Sequence, residues 1–121
     1  MARGPAPPPE PPGRRDDDVW QRRVALTEAN RRRVNEAIER GHDARSVVSF
    51  VCECGRIGCT DTVALAHDHY EGVRTSFERF LVAPGHELPD VEDVVERHER
   101  HLVVAKTGVG AEVAEETERR R

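Results

Sequence analysis

The chain has 121 residues, room for one domain. With 19 basic residues against 23 acidic ones it lacks the positive surplus that phosphate binding draws on, and no apolar run approaches bilayer length. Hydrophobic content of 36%, with only Trp20, Phe50, Tyr70, Phe77 and Phe80 as aromatics, is thin for a core, and domains this small often lean on a metal, disulfide or partner.

Residues 1–15, MARGPAPPPEPPGRR, hold no apolar side chain larger than Met1 and are expected to be a disordered Pro/Arg-rich arm. No apolar core follows these arginines, so the stretch does not read as a signal peptide, and a cytoplasmic location is expected. Residues 16–41 read as a long amphipathic helix, with Asp16 to Asp18 at its positive end and Gly41 as a left-handed C′ residue. Trp20, Val24, Thr27, Val34 and Ile38 fall near one stripe, a narrow seam suited to a sheet, a second copy or a protein partner. Val47–Val51 is a strand by its β-branched and aromatic content, and residues 60–66 form a second strand returning as a hairpin. HDHYEGVRTSFER, residues 67–79, predicts a short helix with Tyr70, Val73 and Phe77 inward. Arg79–Val82 is a strand ended by Pro84 and Gly85, residues 101–106 pair with Val94–His98 across a turn at Glu99 and Arg100, and residues 108–121 close as a helix. The fold class is α+β: a long N-terminal helix, then a zinc-stabilised domain over 46–118 with a small, mostly antiparallel sheet and one or two further short helices.

All three cysteines lie in SFVCECGRIGCTDT, spaced C-x-C-x4-C. Cys52 and Cys54 lie two apart at a strand end, so they share a face, and Gly55 and Gly58 let the chain curl until Cys59 meets them. This is how a zinc knuckle is built, and an odd cysteine count fits poorly with a disulfide framework. Three thiolates need a fourth donor to close a tetrahedral Zn2+ shell. His86, in APGHELP after a strand, is the first choice, with His67 and His69 as rivals; His42, His98 and His101 read as surface residues. The spacing is similar to that of the small zinc cluster following the catalytic domain of SET methyltransferases, although nothing else here resembles those enzymes. An iron–sulfur cluster would ordinarily want four cysteines.

FVCECGRIGCTDTVAL, YEGVRTSFERFLVAPGHE, VVERHERHLVVAKTG and AEVAEETERR, in that order, resemble a family of small bacterial proteins common in actinobacteria. Its pattern is F-x-C-E-C-x4-C, Y-x-x-V-R, R-F-x-V-x-P-G-H-E and a valine-rich strand ending in V-x-K. The resemblance spans about residues 30–120 and implies His86 as the fourth ligand. His69 stands where the family more usually has glutamate, and Val104-Ala105-Lys106 replaces the more usual V-E-K. The resemblance implies a site and a lineage and no activity.

A full Cys3His shell is a structural one, so no catalysis is expected. An enzyme would need Glu53 or Glu87 as a general base beside the metal. The leading expectation is an interaction or regulatory module acting through the first helix, with no membrane. The alternatives are a thiol redox sensor using Cys52 and Cys54, or a nucleic-acid-binding zinc domain using Arg22, Arg23, Arg31, Arg32 and Arg33. Lys106 is the only lysine among the 19 basic residues, an arginine bias that reads as GC-rich codon usage.

Overall fold

Val47–Val51 forms β1 and Thr62–Ala66 forms β2, paired antiparallel with Val47 opposite Ala66 and Val51 opposite Thr62. The computed structural model describes residues 18–119, so the expected arm at 1–15 lies outside the described residues. The remaining elements are α1 (Asp18–Arg40), α2 (His67–Val73), β3 (Arg79–Val82), β4 (Glu92–Arg97), β5 (Leu102–Lys106) and α3 (Gly108–Arg119). The class is α+β, with the strands divided between the β1–β2 hairpin and an antiparallel three-stranded sheet ordered β3-β5-β4. No helix among the described residues is long and apolar enough to cross a membrane.

Two sheets form because β1 finds other partners for its free edge. The side-chain amide of Asn35, on α1, takes the place of a neighbouring strand. Its Oδ1 accepts from Val51 N–H (2.7 Å) and its Nδ2 donates to Val51 C=O (2.8 Å). One residue beyond Cys52, Glu53 N–H donates to the Leu81 carbonyl at 2.7 Å, which joins the end of β1 to β3.

β3 divides two small cores. Phe80 and Val82 pack with Leu102, Val104, Ala114, Cys52 and Cys54, whereas Leu81 packs with Val48, Phe50, Val63, Leu65 and Tyr70. The rings of Phe50 and Tyr70 stack at 4.3 Å and 19°. Alternation along a strand sends neighbours to opposite faces, so the run Phe80, Leu81, Val82 serves both clusters.

α1 docks by a face rotated away from the expected apolar stripe, which it meets at Val24. Its buried residues are Val24, Ala25, Glu28, Ala29, Arg32, Asn35 and Glu36, while Val34 is exposed. The polar members are matched by partners. Arg32 lies over the Phe80 ring at 4.4 Å and donates to the carbonyls of Phe77 (2.5 Å) and Ala114 (3.3 Å). Glu36 pairs with Arg74 at 2.8 Å, and Arg74 pairs in turn with Glu118 at 2.5 Å. Small residues bring the helix close, and charge-assisted bonds then fix its register. Gly41 follows α1 without the left-handed conformation expected of it. α2 is shorter than the sequence suggests: Thr75 Oγ1 donates to Gly72 C=O at 2.7 Å, the chain turns, and Phe77 is left part-exposed.

The only lysine is buried. Lys106 Nζ donates to Glu28 Oε2 (3.0 Å) and Glu92 Oε1 (2.8 Å), joining α1, β4 and β5. Burial pushes the Glu28 carboxyl from 4.5 up to about 8, and the nearby Glu92 charge adds to this against the pull of Lys106. A carboxyl raised on folding holds its proton more tightly in the native state, so its contribution is complete below 4.5 and is lost as pH rises through 8. Glu28→Gln, which mimics the protonated acid, should therefore flatten this part of the stability profile. Urea unfolding of both proteins across that range checks it: the gap between them should change with pH, and a constant gap would mean that Glu28 titrates normally.

Candidate metal centre

The chain beyond β1 alternates once more. Cys52 and Cys54 go to the Phe80 side, and Glu53 goes to the other side. Gly58, at φ 82°, then turns the loop so that Cys59 faces the first two thiols. Gly55 has a different task from the turn expected of it. A Cβ there would lie 2.3 Å from Val24 Cγ1, so this is where the cysteine loop rests on α1.

β3 delivers the fourth side chain. After Val82 the chain turns through Pro84 and Gly85, the latter at φ 88°, and His86 N–H donates to Ala83 C=O at 3.0 Å. This turn brings His86 Nδ1 to 3.6 Å from Cys52 Sγ, 3.5 Å from Cys54 Sγ and 3.4 Å from Cys59 Sγ. The four donor atoms all lie within 4.8 Å of one another, close enough to hold a metal ion. A ring nitrogen has one proton or one lone pair to direct, so it cannot hydrogen-bond three sulfurs arranged around it. A position equidistant from the three is a coordination geometry.

The surroundings stabilise charge on sulfur. Ala83 N–H donates to Cys52 Sγ at 3.2 Å, and the backbone amides of Arg56 and Asp61 favour the charged forms of Cys54 and Cys59. Arg31 Nη1 lies 3.5 Å from Cys54 Sγ while donating to the Cys54 carbonyl at 2.5 Å. The Cys54 thiol is pulled down to about 4, first by the hydrogen bond from Cys52 and then by His86, against the opposing effect of burial. Cys52 is pushed up by giving that hydrogen bond and by burial, and Cys59 is pushed up by burial.

Asp61 and Arg31 were not evident as site residues from the sequence. His86 Nε2 lies 3.0 Å from Asp61 Oδ2, which orients the ring and holds the proton on Nε2, leaving Nδ1 free toward the sulfurs. The hairpin register carried one step further would have found Asp61, since Cys52 N–H donates to its carbonyl at 2.9 Å.

The rival histidines stay apart from the cysteines. His67 is buried and faces Glu39 at 3.6 Å, and His69 is exposed on α2. His98 and His101 stack at 4.3 Å beside the β4–β5 turn, and His42 Nδ1 lies 2.9 Å from Ile38 O. The two glutamates considered as bases are engaged elsewhere. Glu53 accepts from Asn35 Nδ2, Tyr70 Oη and Leu81 N–H, and Glu87 Oε1 accepts from Gly85 N–H at 2.9 Å.

No family model, curated protein or solved structure matches the chain. Asp61 is exposed, so the fold should tolerate its truncation. Asp61→Ala should weaken metal affinity about ten- to a hundredfold by freeing the His86 ring. Competition against a chromophoric chelator measures this, and an unaltered affinity would remove Asp61 from the site.

Proposed function

We propose that the protein is a small interaction or regulatory module built on a structural Zn2+ centre, with Cys52, Cys54, Cys59 and His86 as ligands. We further propose that it belongs to the actinobacterial family whose segments it resembles. The observation carrying the metal assignment is the near-equality of the three Sγ···Nδ1 distances, 3.6, 3.5 and 3.4 Å. Tetrahedral zinc with its usual bonds to sulfur and nitrogen sets that edge at about 3.5 Å. Three thiolates with one imidazole form a closed soft shell that suits zinc and leaves no position for substrate.

The competing readings have less support. Cys52 and Cys54 are both buried, which shields them from an exogenous oxidant. Of the five arginines that would make a nucleic-acid face, Arg32 is buried, Arg31 is bonded to the Cys54 carbonyl and Arg22 pairs with Glu116. For an interaction role, the outward face of α1 carries Val19, Leu26 and Val34, all exposed and near one helical stripe. This face, turned away from the docked one and including Val34 of the expected seam, is the proposed surface for a second copy or a protein partner.

Metal content by mass spectrometry of the purified full chain is the direct test. One zinc per chain is expected, absent from Cys59→Ser together with cooperative unfolding, because such sites couple about 10–16 kcal/mol of binding to folding. A folded, metal-free chain with three titratable thiols would overturn the proposal. For the surface, sedimentation at increasing concentration should show self-association that the double substitution Leu26→Glu, Val34→Glu removes. Identical sedimentation of the two proteins would take a second copy off this face.

A further inference from the structure

We propose a second metal site, independent of the cysteines, formed by Glu39 at the end of α1 and by His67 and Glu71 on α2. One donor atom from each of the three lies within 4.8 Å of the other two. His67 and Glu71 are four residues apart on one helix, so their side chains share a face. Glu39 reaches them from α1, where its Oε2 is buried and makes no hydrogen bond among the described residues.

That orphaned oxygen is what asks for a cation. His67 is buried to 8% exposure and its Nε2 is aimed at Glu39 Oε2 across 3.6 Å, too far for a hydrogen bond. Two donors that face each other at this separation match an edge of a coordination shell with bonds near 2.1 Å. The usual alternative, a closed histidine–carboxylate hydrogen bond, would shorten the gap. Glu71 lies on the exposed side and completes the triangle where solvent has access. Glu39 and Glu71 repel one another as bare carboxylates, and a divalent charge between them removes that repulsion.

Two carboxylates and an imidazole suit a divalent first-row ion such as Zn2+, Co2+ or Mn2+ and disfavour Cu+. Three protein donors leave at least one position to water, so the ion exchanges with solvent, unlike one enclosed by four protein ligands. Its place between the end of α1 and α2 makes it a clasp on that corner of the fold.

The test uses the full chain with its cysteine centre already loaded, titrated with Zn2+ in a calorimeter. A second equivalent should bind, and Glu71→Gln, an exposed substitution that spares the core, should weaken it by about tenfold or more. His67→Gln should do the same, while His98→Gln, at the separate histidine pair, should leave it unchanged. Mass spectrometry of each variant should still find the cysteine-bound metal, so failure here is distinguishable from failure of the Cys3His assignment. The absence of a second equivalent, or one indifferent to Glu71→Gln, would overturn the proposal.

Discussion

Everything near the centre depends on a buried carboxylate. Glu53 is fully enclosed, and its oxygens accept from Asn35 on α1, Tyr70 on α2 and Leu81 on β3. Its backbone N–H is bonded to β3 as well. Burial pushes this carboxyl upward, and its three donors, Tyr70 first among them, act against that shift. Strand alternation then does the rest. With Glu53 locked toward the helices, Cys52 and Cys54 have to face the other way, together, toward the loop that carries His86. The acid between the cysteines is thus the anchor of the candidate metal centre, and its bonds to the fold explain why it is unsuited to act as a base.

A thin apolar core does not leave this fold loosely specified. β3 separates two small clusters, and between them and α1 runs a polar layer of Arg32, Asn35, Glu36 and Arg74. Buried charges of this kind contribute little net stability, since desolvation offsets most of the attraction, but a mispaired alternative would strand a charge at a cost of several kcal/mol, about 3–5. The hydrophobic clusters make the chain collapse, and the polar layer selects which collapsed arrangement is allowed.

Sequence patterning reached some of this and missed the rest for a physical reason. The strands at Val47–Val51 and Arg79–Val82 coincide with the expected ones because short β-branched and aromatic runs bounded by turn residues have few other uses. The grouping of the three cysteines with His86 was legible from a two-residue spacing, two turn glycines and the Pro-Gly-His segment. The docking face of α1 was not legible. Periodicity assigns apolar residues inward, yet here Glu28, Arg32, Asn35 and Glu36 are inside and Val34 is outside. Such a face is decided by partners distant in sequence, Phe77, Val51, Arg74 and Lys106, which a local pattern cannot contain. The same limit hid the role of Lys106, which looked like a leftover of arginine-rich composition.

That single lysine sets how the folded chain meets amine chemistry. Lys106 is the only lysine, is 4% exposed and is held by two carboxylates, so the native domain offers no accessible side-chain amine. Acylating reagents, lysine-directed proteases and conjugation systems that tag lysine would meet their one side-chain target only after β5 has parted from α1. Labelling at this position would wait on structural opening, giving the protein an internal gauge of its own unfolding.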